Sequence, residues 1–93
     1  MNPKRWITGP DPTIHHMYVN YGWIRTSARL RGETWDLPFE TFKEMWLPLW
    51  HQRGREATSL CMARKDMEGP WTRDNLEIIT RREHGRRIRE HYK

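Results

Sequence analysis

Large aromatic side chains are the feature that most constrains how this chain can fold. Six Trp, three Tyr and two Phe occur among 93 residues, although only 35% of the residues are hydrophobic. A chain of this size buries at most about 60–65% of the surface that its unfolded form exposes, so a few large side chains must supply most of the core. The sequence therefore predicts one small globular domain with aromatic anchors rather than a disordered chain.

The cysteine content and the hydropathy exclude several classes of protein. Cys61 is the only cysteine, which excludes an intramolecular disulfide and a CxxC-type zinc site, so we expect no structural zinc. No run of 18 apolar residues is present, and no apolar segment follows residues 1–6. These observations predict a cytoplasmic protein that does not act at a membrane.

The charge of the chain indicates the kind of partner. Lys and Arg number 17 against 12 Asp and Glu, which gives a formal net charge of +5 and a pI near 9.9. A basic excess of this size favours a polyanionic partner, and nucleic acid is the first candidate.

The first half of the chain predicts an irregular arm and two helices. Residues 1–12 contain three prolines and lack a hydrophobic period, so we assign them to an extended N-terminal arm, followed by a single domain over 13–93. Apolar residues at spacings of three or four predict a helix over about 13–31, with Gly32 in the left-handed position that ends it. Pro38 starts a second helix over about 38–47. The polar segment 50–56 is interpreted as a surface loop.

The second half predicts a β-hairpin followed by a helix. Residues 59–64 and 76–80 have strand length and composition, and the turn-forming segment 66–70 lies between them. Thr80 and Glu83 match a capping box, which starts a strongly basic helix at about residue 81. The predicted fold class is therefore α+β, with two N-terminal helices, a β-hairpin and a basic C-terminal helix.

The hairpin carries a motif that is similar to a known family. Residues 64–76 read RKDMEGPWTRDNL and resemble the signature R-I-D-x-x-G-x-[YW]-[ST]-x-[DE]-N of HNH-type endonuclease domains, the ββα-metal fold common in phage genomes. Upstream, SARLRG at 27–32, WDL at 35–37 and FETF at 39–42 look like the segment that precedes the hairpin in such proteins. The resemblance spans roughly Tyr18 to Arg87.

The resemblance implies a catalytic site on the hairpin and the last helix. In that family these elements hold one divalent cation, Mg²⁺ or Mn²⁺, against a DNA phosphate. Position by position, the carboxylate ligand corresponds to Ala63, the general base to Arg64, the asparagine that orients the base to Asn75, and the final ligand to His84. We accordingly interpret Arg64, Asn75 and His84 as the catalytic set and His84 as a metal ligand.

Two of these positions depart from the family pattern. Arginine is not deprotonated in proteins, so Arg64 cannot act as the base and is expected to face solvent or to clamp a phosphate. Ala63 has no oxygen for a hard cation, so Asp66 is the substitute metal ligand if the strand register slips. His15, His16 and His51 remain alternative general bases.

The sequence also predicts a nucleic-acid surface and a core. The tryptophans Trp23, Trp35, Trp46 and Trp50 are assigned to the core, and Trp71 to support of the turn. The predicted nucleic-acid-binding residues are the arginines of the polar loop, the hairpin and the last helix: Arg53, Arg55, Arg64, Arg81, Arg82, Arg86, Arg87 and Arg89.

Three functions follow as hypotheses. The first is an HNH-like protein that binds duplex DNA and, if active, nicks it with Mg²⁺ or Mn²⁺; if the chain is phage-encoded, it works in the host cytoplasm. The second is a catalytically inactive module, a phage accessory protein or inhibitor that binds DNA or a host nucleic-acid enzyme. The third is a purely protein-binding inhibitor with Trp and Arg anchors.

Overall fold

The computed structural model describes residues 11–92, so residues 1–10 of the predicted arm lie outside the described residues. Three helices and a two-stranded antiparallel sheet confirm the α+β arrangement. In chain order these are α1 (Pro12–Leu30), α2 (Phe39–Trp46), β1 (Leu60–Arg64), β2 (Leu76–Thr80) and α3 (Arg81–His91), with 3₁₀ turns at Leu47–Gln52 and Arg73–Asn75.

Helix α1 begins one residue earlier than predicted because Asp11 caps it. The Asp11 carboxylate accepts a hydrogen bond from the Thr13 backbone N–H at 2.8 Å, and Pro12 occupies the first turn, where its missing N–H costs nothing. The helix ends at Leu30, and Gly32 follows with φ 76°, the left-handed position that favours glycine. The predicted end signal is confirmed.

The core is aromatic, and Tyr21 lies at its centre. Its ring contacts Phe42 edge to face at 5.4 Å, and its hydroxyl donates to the Leu37 carbonyl oxygen at 2.6 Å. Around it, the buried hydrophobic residues are Met17, Ala28, Leu37, Phe42, Trp46, Trp71 and Leu76.

The prediction that Trp23 lies in the core is wrong. Trp23 is 71% exposed, whereas Trp46 is buried and both Trp35 and Trp50 pack partly buried against the core. The buried face of α1 is set by Met17, Tyr21 and Ala28, and residue 23 falls outside that stripe.

The hairpin and α3 form one layered unit. Strand β1 pairs with β2 so that Met62 lies opposite Ile78, and Thr80 then caps α3 by accepting from the Glu83 N–H at 3.1 Å. Helix α3 runs back along the hairpin, since Arg87 contacts Glu77 of β2 and His91 contacts Glu68 beyond β1. This arrangement places one face of α3 against the sheet.

The segment predicted as a loop over 50–56 is partly ordered by packing. Leu47–Gln52 forms a 3₁₀ turn, and the Arg53 guanidinium lies 4.3 Å from the centre of the Trp50 ring. Arg53 is therefore half-buried rather than fully exposed. Within residues 11–92, no helix has an apolar stretch that would reach across a membrane.

Candidate functional site

The hairpin and α3 enclose a cleft of about 310 Å³ that we call the Arg64 cleft. It brings together Ala63, Arg64 and His84, three of the positions that the family resemblance marks. The full lining is Arg31, Glu33, Met62, Ala63, Arg64, Met67, Trp71, His84, Ile88 and Tyr92. His15, His16 and His51, the alternative bases, are not part of this lining.

Glu33 holds the Arg64 cleft together, and sequence reasoning missed it. Its carboxylate accepts hydrogen bonds from Arg31 at 2.9 Å and 3.1 Å, from the Trp71 indole N–H at 3.0 Å and from Arg64 at 3.1 Å. The Arg31 hydrogen bonds, the Trp71 hydrogen bond and the charge of Arg64 outweigh burial and lower the pKa of Glu33 from 4.5 to about 2. The carboxylate is thus ionised and fully engaged at neutral pH.

Arg64 does not face solvent, so the first of the two alternatives predicted for this residue is wrong. Its side chain is only 15% exposed, and besides Glu33 it donates to the Gly69 carbonyl oxygen at 2.9 Å. The guanidinium also lies 5.1 Å from the centre of the Trp71 ring. A charge at this depth is tolerated because Glu33 and Trp71 surround it. In this arrangement Arg64 fastens the hairpin to the segment that follows α1.

Asn75 organises the hairpin loop. Its amide nitrogen donates to the carbonyl oxygens of Asp66 at 3.1 Å and Pro70 at 2.8 Å, and its amide oxygen accepts from the Asp66 N–H at 2.9 Å. These three bonds use both donors of the side chain and one acceptor site. The structure therefore shows Asn75 as a loop-closing residue.

The two predicted metal ligands lie in different surroundings. His84 lines the Arg64 cleft, whereas Asp66 lines a separate cleft beside Arg87 and His91. The Asp66 carboxylate accepts from the Glu68 N–H at 3.0 Å, which closes a turn in the loop. The register of the hairpin pairs Arg64 with Leu76 without a slip, so Asp66 stays in the loop.

The side chains present do not fit a hard divalent cation in the Arg64 cleft. Mg²⁺ requires several oxygen ligands, and the first-strand position offers the methyl group of Ala63. The one carboxylate in the lining, Glu33, is bonded to two arginines and a tryptophan. Within residues 11–92 no three His, Cys, Asp or Glu side chains are grouped as a metal site would require.

His84 nevertheless has a distinctive environment. Burial lowers the pKa of its imidazole, and the positive charges of Arg81 and Arg87 lower it further. The ring is consequently neutral at pH 7 and can donate one hydrogen bond and accept another.

Two arginines in the middle of α3 form ion pairs. Arg86 pairs with Glu83 at 2.6 Å and with Glu90 at 2.7 Å, and Arg87 pairs with Glu77 and Glu83. The carboxylate of Glu83 thus bonds to arginines, which lowers its pKa to about 2, rather than completing the predicted capping box. These ion pairs neutralise the middle of the helix.

Four arginines without an ion pair lie at the start of α3 and in the loop beside it, in a group that we call the cationic corner: Arg53, Arg55, Arg81 and Arg82. The loop 53–59 lies against the helix start, because the N–H groups of Arg81 and Arg82 donate to the carbonyl oxygens of Ser59 and Ala57. Across the described part of the chain, no carboxylate forms an ion pair with these four arginines or with Arg89.

Comparisons with known proteins add no family to this picture. No family model matches the chain, and neither the curated proteins nor the solved structures contain a match. The resemblance to HNH endonucleases therefore remains a prediction from the motif.

Proposed function

We propose that this chain is a small DNA-binding protein that contacts duplex DNA through the cationic corner. The observation that supports the proposal is the clustering of four arginines without carboxylate partners at the junction of a loop and a helix start. Guanidinium groups bind phosphate oxygens with two parallel hydrogen bonds, so an array of unpaired arginines suits the DNA backbone.

Arg89 extends this surface along α3. It is exposed and forms no ion pair within residues 11–92, whereas Arg86 and Arg87 between it and the corner are neutralised by Glu77, Glu83 and Glu90. Binding of this kind is directed at phosphates and is largely independent of DNA sequence. Arg64 is left out of the proposed surface because Glu33 already holds its guanidinium.

Binding without hydrolysis is the form of the proposal that the side chains support. The HNH-like positions in the Arg64 cleft hold an alanine, an ion-paired arginine and one histidine, and Asn75 is used in the loop. The family resemblance supports a fold related to that of HNH domains. The side chains at the metal-binding positions support loss of the metal-dependent chemistry.

Two assays on the same protein test this proposal. The first measures the fluorescence anisotropy of a labelled duplex at low salt, where we expect saturable binding. The second incubates supercoiled plasmid with Mg²⁺ or Mn²⁺, where we expect no nicking above that of His84→Ala. Absence of DNA binding would overturn the proposal. Metal-dependent nicking that disappears in His84→Ala would replace the inactive module by an active endonuclease.

A protein partner is the second candidate function. Trp23 is 71% exposed and Leu30 is 83% exposed on α1, and exposed tryptophans are frequent anchors of protein interfaces. This candidate predicts that Trp23→Ala leaves DNA affinity unchanged. It would become the first choice if the duplex showed no affinity for the chain.

A further inference from the structure

A second cleft lies on the other side of His84, between α1, α2, β1 and the start of α3. We call it the Arg53 cleft; its volume is about 270 Å³. Arg53 and Arg81 supply two positive charges to its wall, and Asn20, Trp46 and His84 supply polar groups. Apolar side chains complete the lining: Ile24, Leu60, Met62 and Trp71, together with Cys61.

The two arginines of this cleft have no anionic partner in the described part of the chain. Arg81 donates through Nε to the Gly54 carbonyl oxygen, and Arg53 lies over the Trp50 and Trp46 rings. Neither contact neutralises the charge. Residues 1–10 contain no Asp or Glu, so that segment has no carboxylate side chain to offer either. Burial of the Arg53 guanidinium and the charge of Arg81 both lower the pKa of Arg53.

Two residues of the lining carry buried polar atoms that lack partners. The Trp46 indole N–H is buried without a hydrogen bond in a side chain that is 1% exposed, and the Asn20 side-chain oxygen is buried without one as well. Buried polar groups in native proteins are nearly always satisfied, by protein, water or ligand. A donor of this kind beside two unpaired guanidinium groups is the complement of an oxyanion.

The helix backbone does not supply this complement. In the first turn of α3, the N–H groups of Arg81, Arg82 and Glu83 already donate to Ser59, Ala57 and Thr80. The anion-binding capacity therefore resides in the side chains. Their charge of +2 matches a doubly charged group, whereas each internal phosphodiester of DNA carries a single charge.

We propose that the Arg53 cleft binds a phosphate monoester dianion, with the phosphate between Arg53 and Arg81 and within reach of the Trp46 indole N–H. The planar forks of two arginines can each contact two phosphate oxygens. The apolar wall gives room for the group that the phosphate esterifies. Such a monoester is either a free mononucleotide or the 5′-phosphate at the end of a DNA strand. The site shares Arg53 and Arg81 with the cationic corner, but the phosphate can be bound there without a duplex.

Titration with inorganic phosphate, followed by the indole ¹H–¹⁵N resonances of the six tryptophans, tests the proposal on the full chain. We expect the Trp46 resonance to shift saturably in phosphate but not in chloride at the same ionic strength. An unchanged Trp46 resonance would overturn the proposal, even if phosphate bound elsewhere. The readout does not depend on a variant that could unfold.

Matched variants give the second test. Arg81→Gln should weaken phosphate binding by about tenfold or more through loss of one fork, whereas Arg29→Gln removes an exposed charge of α1 outside the cleft and should leave it unchanged. Equal binding by the two variants would overturn the proposal.

Two further arms identify the source of the monoester. A deoxynucleoside 5′-monophosphate is compared with the nucleoside, and a 5′-phosphorylated single strand is compared with its 5′-hydroxyl form. Preference for the phosphorylated member of either pair supports the site and names its ligand; no preference in both pairs contradicts it. Because the phosphate titration contains no DNA, it remains informative if the duplex fails to bind.

Discussion

The Arg64 guanidinium donates to the Glu33 carboxylate at 3.1 Å, although 31 positions separate the two residues in the sequence. This ion pair joins β1 to the segment after α1, and the Trp71 indole N–H donates to the same carboxylate. Arg64 lies at a position that the family resemblance assigns to catalysis, but its ion pair helps to hold the fold together.

Replacement of Glu33 by glutamine should destabilise the fold by about 2 kcal/mol at pH 7, because it leaves the guanidinium of Arg64 without its counterion. Urea unfolding measures the loss. Glu44→Gln is the control, since Glu44 is exposed and has no ion pair within residues 11–92. Equal stability of the two variants would contradict the framework role.

The same pair predicts a dependence on acid. The folded-state pKa of Glu33 is lowered, so its contribution is present above about pH 4.5 and is lost as the pH falls towards 2. The stability difference between the native chain and Glu33→Gln should therefore shrink across that range. A difference that stays constant from pH 7 to pH 2 would show that the ionised carboxylate is not responsible.

Asn75→Ala should cost about 2–3 kcal/mol, since three hydrogen bonds that close the hairpin loop are lost. Asn75→Asp keeps the acceptor for the Asp66 N–H but places a carboxylate oxygen against the Asp66 and Pro70 carbonyl oxygens, so a loss at least as large is expected. Thermal and urea unfolding of the two variants check the order. An Asn75→Ala protein as stable as the native chain would contradict the loop-closing role and favour the catalytic interpretation of Asn75.

Two glycines should respond in opposite directions to alanine. A Cβ at Gly69 would lie 2.9 Å from the Asn75 amide nitrogen and 3.2 Å from an Asp66 carboxylate oxygen, which predicts a loss of about 1–2 kcal/mol. At Gly22, inside α1, the added Cβ meets nothing within 4 Å, so alanine should stabilise the helix by roughly 1 kcal/mol. The same sign of change in both unfolding curves would be inconsistent with this packing.

The sequence predicted the order of the elements because each one has a local signal. Hydrophobic spacing revealed α1 and α2, and Thr80 revealed the start of α3 through its capping hydrogen bond. Trp71 is buried, with its ring stacked on Trp35 at 5.3 Å. Local chemistry was sufficient in these cases.

The candidate site could be predicted only in part, because its contacts are distant in sequence. The motif marked Ala63, Arg64 and His84, which line one cleft. No signal near Glu33 in the sequence marked it as the partner of Arg64. Charge counting likewise treated all arginines of α3 alike. Only the fold shows that Glu77 of β2 neutralises Arg87, while Arg53 and Arg82 stay unpaired.

The salt dependence of duplex affinity in Arg82→Gln and Arg86→Gln shows whether the cationic corner binds DNA. Each lost phosphate contact lowers the slope of log affinity against log salt by roughly 0.9. We predict that decrease for Arg82→Gln, and an unchanged slope for Arg86→Gln, whose charge is already paired with Glu83 and Glu90. A slope that falls in Arg86→Gln and stays constant in Arg82→Gln would contradict the account.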